Sequence, residues 1–272
     1  MNVLITGAAG LIGTSVWTRL ADSPDRYTLT GFDLVGDPGR DITEGNVADF
    51  DAVRAVVEGQ DAIVHLGANG GPGDRWDQLR ESNLVGTYNI FESAREAGVK
   101  RVIFASTGQV TWNYEQEGDL GQVIAGTYEG SSDSYERVTH TQPVRPSGLY
   151  AATKVWGEAL GRYYSDVHGI SALCIRFSSV NRANSPLSPT SNINPNDVDA
   201  PENRSFSLWT STRDAAQIVQ RCLDAPDDLM FDIFYSGSDN RWGVRDISHA
   251  AEVIGFRPED RAEDFRVPDE GG

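Results

Sequence analysis

Short apolar runs alternate with helical patterns along the first 180 residues of the chain. The runs are too short for helices and are bounded by turn-forming or charged residues, which is typical of strands buried on both faces of a parallel sheet. We predict such strands at residues 2–5, 27–32, 62–66, 101–105 and 171–177, with one short polar strand before residue 46. Helices are predicted at residues 11–21, 49–58 and 74–97 and from residue 147. This alternation predicts an α/β fold with a doubly wound parallel sheet.

The pattern changes after residue 177. Residues 178–205 contain four prolines and few apolar positions, and we interpret them as an excursion on the ligand side of the sheet. Beyond them we predict a helix at residues 212–224, capped by Ser211 or Thr212, a strand at 231–235 and a helix at 246–254. The chain is therefore expected to form one structural domain, with a core at residues 1–177 and a small C-terminal substrate-binding lobe at residues 178–272. A polar segment running to residue 146 is expected to be a long loop.

The first strand breaks into glycines at Gly7, Gly10 and Gly13, and a helix follows at once. Each glycine meets a separate steric demand. One allows a tight turn, one lets backbone amides approach a pyrophosphate closely, and one lets the following helix pack closely on the strand. The helix would direct its free N-terminal amides at that pyrophosphate. Asp33 ends the second strand, where an acidic residue accepts hydrogen bonds from an adenosine ribose and would repel a ribose phosphate. The motif thus predicts NAD rather than NADP, and the alternative is a glycine-rich loop without a ligand.

The chain is strongly acidic, with a net charge of -17, and 21 of its 23 basic residues are arginine. Such a surface argues against nucleic acid and anionic membranes as partners. The shortage of lysine resembles proteins of salt-accumulating halophiles, so we expect a requirement for high salt. No long apolar segment or secretory leader pattern is visible, so we expect a soluble cytoplasmic protein. Cys174 and Cys222 are predicted to be buried thiols, and no metal site is expected. Whether the protein forms a homo-oligomer is left open.

Tyr150 and Lys154 lie one turn apart on the helix that begins near residue 147. Removing hydride from an alcohol carbon requires a base for the hydroxyl proton. A tyrosine with its usual pKa near 10 serves at neutral pH only if a cation stabilises its phenolate. Lys154 would supply that cation, although this spacing also occurs by chance on helix surfaces.

Together these motifs resemble the extended short-chain dehydrogenase/reductases, over essentially the whole chain. TGAAGLIG at residues 6–13 matches the TGxxGxxG of that family, and HLGA at residues 65–68 matches its HLAA segment. The resemblance implies a Rossmann-type sheet and NAD as cofactor. It also implies that Tyr150 transfers the proton, that Lys154 assists it and holds the nicotinamide ribose, and that Thr107 orients the substrate hydroxyl.

The resemblance also implies the remaining site residues. Those expected to bind the cofactor are Gly7, Ala9, Gly10, Leu11, Ile12, Gly13, Asp33, Asn46, Val47, Leu66, Gly67, Ala68, Asn83, Tyr150 and Lys154. Those expected to contact substrate are Ser106, Thr107, Gln109, Tyr150 and Arg176. Asn46 departs from the family, which uses aspartate beside the adenine, but asparagine can still hydrogen-bond the base.

Within the family the chain is similar to short members that oxidise free sugars, namely uronate dehydrogenases and haloarchaeal NAD-dependent glucose-6-phosphate dehydrogenases. Matching stretches include residues 102–107, 143–154 and 208–211. Where these relatives have Ser-Asn-His after the fifth strand, this chain has Thr-Gly-Gln at residues 107–109. The expected function is NAD-dependent oxidation of an aldose, sugar phosphate or uronate at its anomeric hydroxyl to the lactone. The alternatives are a nucleotide-sugar epimerase or dehydratase and a non-catalytic NAD-binding redox sensor.

Three arginines are candidates for reading the charge of the substrate. Arg176 has two interpretations, which are contact with a substrate carboxylate, as in uronate dehydrogenases, and pairing within the fold. Arg182 and Arg204 flank the excursion and would either reach a phosphate or remain solvated. His65 is interpreted as a packed histidine rather than a catalytic one.

Overall fold

Seven parallel strands form a single sheet in the order β3-β2-β1-β4-β5-β6-β7. This computed structural model describes residues 1–70, 75–127, 134–187 and 201–265, with only the backbone of residues 201–203. The strands are β1 Asn2–Thr6, β2 Thr28–Asp33, β3 Ile42–Glu44, β4 Ala62–His65, β5 Arg101–Thr107, β6 Ser171–Phe177 and β7 Phe231–Tyr235. The predicted α/β fold with a doubly wound parallel sheet is confirmed.

Helices connect the strands and cover both faces of the sheet. They are α1 Leu11–Ala21, α2 Phe50–Val57, α3 Trp76–Leu79, α4 Gly86–Ala97, α5 Gly118–Ala125, α6 Leu149–His168, α7 Pro201–Leu208, α8 Thr212–Leu223 and α9 Ser248–Val253. A π-helical segment, Arg80–Val85, joins α3 to α4, so the helix expected at residues 74–97 is observed from residue 76. Residue 74 lies outside the described residues. In the described part of the chain, no helix has the length and apolarity needed to cross a bilayer.

The alternation of side chains along each strand divides the core into two layers. Val3 and Ile5 of β1 pack with α1 and α8 on one face, whereas Leu4 packs with α2, α4 and α6 on the other. Because helices cover both faces, the middle of each central strand is apolar, which explains the unbroken apolar runs in the sequence. Cys174 and Cys222 are buried free thiols, as predicted.

Two elements assigned to the C-terminal lobe in fact complete the core. Strand β7 pairs with β6 as the last strand of the sheet, and α8 packs against α1. Arg101 at the start of β5 donates to four backbone carbonyls at and just after the end of α8, at residues 222, 223, 225 and 226. The boundary at residue 177 therefore does not divide the sheet. That residues 178–187 and 201–208 serve the substrate side stays a prediction, and residues 188–200 lie outside the described residues.

The segment expected to be a loop up to residue 146 contains helical structure. A 3₁₀ segment, Gly108–Gln116, follows β5 directly, and α5 comes after it. Both carry buried side chains, among them Trp112 and Val123. Contacts with the rest of the protein stabilise these helices, which are too short to be stable on their own. Residues 128–133 lie outside the described residues.

The strand order reverses between β1 and β4. From β1 the chain runs outward through β2 and β3, and it then returns to place β4 on the other side of β1. In sheets of this kind, ligands bind at the carboxyl ends of the strands beside such a reversal. The glycine turn after β1 and the ends of β4 and β5 are therefore brought to the same edge.

Candidate active site

A cavity of about 350 Å³ opens at this edge of the sheet. The predicted site residues that line it are Gly7, Gly10, Leu11, Ile12, Gly13, Leu66, Ala68, Ser106, Thr107, Gln109, Tyr150 and Lys154. Those that do not are Ala9, Asp33, Asn46, Val47, Gly67, Asn83 and Arg176. The structure thus brings the glycine turn and the Thr107, Tyr150 and Lys154 side chains around one space.

The backbone of the glycine turn leaves no room for side chains. Gly7 has φ of 68°, in the left-handed region that favours glycine. A Cβ on Gly13 would lie only 2.2 Å from the Gly7 carbonyl oxygen. Helix α1 begins at Leu11, and its N-cap, Gly10, has no side chain to satisfy the first amides. A turn of bare backbone ending in uncapped helix amides fits the pyrophosphate of a dinucleotide.

Asp33 holds the turn from the neighbouring strand. Its Oδ2 accepts from the Ala9 amide at 2.9 Å and its Oδ1 from the Val35 amide at 3.3 Å. The carboxylate therefore lies beside the turn at the end of β2, where a ribose would bind. Asn46 and Val47 lie beyond β3. The Asn46 Oδ1 closes a local turn onto the Ala48 amide at 2.9 Å.

Asn83 clamps the loop after β4. It lies in the π-helical segment, 2% exposed, and accepts from the Asn69 amide at 2.8 Å. Its amide nitrogen donates to the Asn69 carbonyl and to Thr153 Oγ1, both at 3.0 Å. Because Thr153 lies on α6 with Tyr150, these bonds fix the cavity-lining loop relative to the candidate base. The side chain of Asn83 acts here as a positioning group.

The Tyr150 and Lys154 pair lies at the start of α6, against the end of β5. Lys154 is 3% exposed, and its Nζ donates to the Ala105 carbonyl at 2.7 Å. Burial lowers the pKa of Lys154 to about 7. Burial also raises the pKa of Tyr150 to about 12, opposed in part by a hydrogen bond with Thr107. The Lys154 Nζ lies 5.8 Å from the centre of the Tyr150 ring.

This arrangement suits proton transfer from an alcohol. The Tyr150 hydroxyl contacts Thr107 and faces the cavity, and the ammonium behind it favours the phenolate. In a site shielded from water, that cation acts more strongly than it would in solution. The chemistry available here is acid and base catalysis by Tyr150, with Thr107 as an adjacent hydrogen-bonding group.

The sequence also matches a known protein family. Residues 3–186 match the NAD dependent epimerase/dehydratase family. The chain belongs to this family, the extended short-chain dehydrogenase/reductases. L-arabinose 1-dehydrogenase (NAD(P)(+)) of Haloferax volcanii is 31% identical to it over 96% of this chain and 97% of that protein. NAD-dependent glucose-6-phosphate dehydrogenase of the same organism is 30% identical over 97% of this chain and 95% of that protein.

A solved structure of the family shows the same fold. A mutant of uronate dehydrogenase from Agrobacterium tumefaciens, complexed with NAD, superposes with a TM-score of 0.75 and is 29% identical. The match covers 99% of this chain and 91% of that one. Members of the family bind NAD(P), in agreement with the shape of the glycine turn described above.

Arg176 does not reach the cavity, contrary to the first of its two interpretations. Its guanidinium is 2% exposed and binds Glu158 through two bonds of 2.8 and 2.9 Å. It also donates to the Tyr235 hydroxyl at 3.1 Å, and Ser106 Oγ donates to the same Glu158 at 2.6 Å. The arginine is therefore paired within the fold, because the buried carboxylate of Glu158 on α6 accepts two of its hydrogen bonds.

His65 is also a packed residue. It is 1% exposed, and its ring nitrogens lie 2.7 Å from Thr6 Oγ1 and 3.3 Å from Thr87 Oγ1. Burial, together with the nearby Lys154 charge, lowers the pKa of His65 to about 3. The ring therefore stays neutral and joins β1, β4 and α4 behind the site.

A second histidine group lies away from the cavity. His140, Asp232 and His249 place ligand-type atoms within 4.8 Å of one another. The His249 Nε2 bonds the Asp232 carboxylate at 2.9 Å, and the two imidazole rings stack with centres 3.7 Å apart. The lone pairs of an imidazole lie in the ring plane, so two nearly parallel rings do not converge on one ion. The geometry favours a hydrogen-bonded stack over a metal centre.

Sequence reasoning missed part of the cavity wall. Trp112 and Arg245 line it, as does Arg204, which was predicted only as a candidate phosphate contact. Trp112 was missed because its segment was expected to be a loop. Arg245 follows β7 by ten residues and carries no motif, and only the topology of the sheet brings it beside Thr107.

Proposed function

We propose that the protein oxidises a sugar at its anomeric hydroxyl to the lactone, with NAD as the hydride acceptor. The observation that carries this proposal is the grouping of Thr107, Tyr150 and Lys154 around the cavity that the glycine turn also lines. The substrate class is supported by relatives whose names are those of sugar dehydrogenases and that match over nearly the whole chain.

The glycine turn and the residues around it indicate which side chains and amides would hold NAD. The turn at residues 7–13 and the first amides of α1 would bind the pyrophosphate. Asp33 would accept from the adenosine ribose, and Lys154 would move its ammonium from the Ala105 carbonyl to the nicotinamide ribose. When bound, NAD supplies an acceptor for the hydride that leaves the anomeric carbon.

The residues of the chain handle the proton. Thr107 hydrogen-bonds the anomeric oxygen and orients it toward Tyr150. The Tyr150 phenolate takes the hydroxyl proton as the C–O bond gains double-bond character, and Lys154 stabilises the phenolate beforehand. Because Tyr150 begins with a raised pKa, this cation is essential rather than auxiliary at neutral pH.

The test combines a substrate screen with Tyr150→Phe. NADH formation is measured with aldoses, sugar phosphates and uronates, and with UDP-glucose for the nucleotide-sugar alternative. Tyr150→Phe should lower kcat by roughly 10² to 10⁴ while NAD binding, followed by fluorescence, stays within about twofold. Retained turnover in Tyr150→Phe, or turnover of UDP-glucose alone, would refute the proposal. NAD binding without turnover of any substrate would favour a sensor.

A further inference from the structure

Thr107 takes its orientation from the backbone on either side of it. Its Oγ1 accepts from the Gln109 amide at 3.3 Å, and the same side chain hydrogen-bonds Tyr150. The first contact moves with the end of β5, and the second is the contact that the proton transfer needs. The direction of the Thr107 hydroxyl therefore depends on how Ser106 and Gly108 are held.

Ser106 is held from helix α6. Its Oγ donates to the Glu158 carboxylate at 2.6 Å, and Glu158 lies one turn beyond Lys154 on that helix. Arg176 binds the same carboxylate through bonds of 2.8 and 2.9 Å. A buried ion pair therefore joins the helix that carries the candidate base to the strand end that carries Thr107.

Gly108 is held from the other side of the same ion pair. Arg176 Nη1 donates to the Tyr235 hydroxyl at 3.1 Å, and that hydroxyl lies 2.8 Å from Thr111 Oγ1. Thr111 Oγ1 donates to the Gly108 carbonyl at 3.2 Å, and Arg245 Nη2 donates to the same carbonyl at 3.1 Å. The hydrogen bonds thus run behind the cavity from one neighbour of the threonine to the other.

The direction of every bond in this path is determined. A carboxylate and a carbonyl only accept, and a guanidinium only donates. Thr111 uses its one hydroxyl proton on the Gly108 carbonyl, so it accepts from Tyr235, which in turn accepts from Arg176. The five side chains of the path are at most 5% exposed, so water does not compete for these bonds. Polarised bonds in such a path strengthen one another.

We propose that this buried network positions the Thr107 hydroxyl toward Tyr150, so that its members are positioning residues for the proton transfer. The inference rests on the proposed function, which assigns the substrate hydroxyl to Thr107. The network, named here the Thr107 brace, consists of Ser106, Glu158, Arg176, Tyr235 and Thr111. It draws on β5, α6, β6, β7 and the 3₁₀ segment. Arg176 then serves catalysis through the fold rather than by binding a charged substrate.

The test variants remove single hydroxyls and leave the buried ion pair intact. Tyr235→Phe and Thr111→Val keep the shape of each side chain, and neither residue is among the described residues that line the cavity. A loss of activity is therefore not the loss of a substrate contact. Tyr164→Phe is the matched control, because Tyr164 is also buried and its hydroxyl donates to Glu92 at 2.8 Å. Circular dichroism and melting temperatures check the folding of every variant.

Steady-state kinetics with NAD and the best sugar of the screen give the first readout. Tyr235→Phe and Thr111→Val should each lower kcat roughly 10-fold and leave both KM values within about twofold, because a misplaced Thr107 weakens the transition state. In a Thr107→Ala background the same changes should alter kcat by less than about twofold, since they act through Thr107. Tyr164→Phe should keep the kcat of whichever background carries it.

Methyl NMR gives a second readout that needs neither substrate nor cofactor. Three-bond couplings to the Thr107 methyl carbon report whether χ1 occupies a single rotamer, and Thr107→Ala assigns the signal by its absence. The parent protein and Tyr164→Phe should hold one rotamer. Tyr235→Phe and Thr111→Val should give couplings averaged over several rotamers.

Unchanged couplings in both brace variants would overturn the inference, and so would a parental kcat in both. Losses of kcat that add fully to the loss in Thr107→Ala would overturn it as well, as would an equal loss in Tyr164→Phe. If no sugar is turned over but the couplings average as expected, the proposed function falls and the brace stands. Turnover of a sugar with unchanged couplings refutes the brace and leaves the function standing.

Discussion

Replacing Lys154 by methionine should change how the rate depends on pH as well as the rate itself. Methionine keeps the length and apolar stem of the side chain but removes the positive charge next to Tyr150. A phenolate without that charge is less stable, so the pKa of the tyrosine rises further above its usual value. Below that pKa, the fraction of phenolate falls tenfold for each unit by which the pKa rises.

The size of the effect follows from the distance between the two groups. The Lys154 Nζ lies 5.8 Å from the centre of the Tyr150 ring, over which part of the phenolate charge is spread. At that separation and an effective dielectric constant near 20, the ammonium stabilises the phenolate by about 3 kcal/mol, or about two pKa units. We therefore expect kcat/KM to fall about 100-fold at pH 6 to 6.5. Lys154 has a pKa of about 7 and loses its own charge above that pH. The gap between the variant and the parent enzyme should then narrow as the pH rises past 7.

The assay is initial NADH formation from pH 6 to 9.5 with the best substrate of the screen. NAD affinity is measured in parallel, so that loss of a ribose contact is scored separately. Lys100→Met is the matched control, because Lys100 is the other lysine of the chain and is exposed. A Lys154→Met profile that lies parallel to that of the parent enzyme at every pH would refute the electrostatic role.

Three further outcomes are expected. Because the Asp33 carboxylate would repel a ribose phosphate, Asp33→Asn should lower the NAD over NADP ratio of kcat/KM by about tenfold, and steady-state kinetics showing an unchanged ratio would contradict this. The melting temperature should rise with potassium chloride, because a chain of charge -17 repels itself unless it is screened, and a flat calorimetric series from 0.1 to 3 M would remove the salt requirement. Since the unfolded chain protonates His65 near pH 6.5 but the folded one only near pH 3, stability is lost as the pH falls below 6.5. Urea unfolding should therefore show that His65→Asn loses about 1.9 kcal/mol less than the parent protein between pH 7 and 5, and equal losses would contradict the assignment.

The sheet was predictable because its central strands are buried on both faces. That environment demands continuous apolar runs, such as residues 62–64 and 102–105, and the runs can be recognised in the sequence alone. The glycine turn was predictable for a similar reason, since its steric demands are local. Helix α8 was also predicted, but its packing on α1 was not, because no local pattern states which face of the sheet a helix covers.

The substrate side of the cavity was less accessible to sequence reasoning. Arg176 follows an apolar strand and was a candidate ligand, yet Glu158 on α6 takes its guanidinium. Arg245 meets Gly108 only because β7 and β5 lie in one sheet. Pairings between distant positions depend on topology, whereas motifs describe neighbours along the chain.

The contacts around the π-helical segment between α3 and α4 depend on the number of residues in that segment. Such a segment holds one residue more than the α-helix it interrupts, and one residue corresponds to about 100° of rotation. With that extra residue, Asn83 faces Asn69, while Gly86 packs so closely on Val47 that a Cβ would come within 2.6 Å. Deleting any one residue from 80 to 85 would turn one of these contacts away from its partner. Substitutions in this stretch at positions other than Asn83 should therefore be tolerated where a single deletion is not.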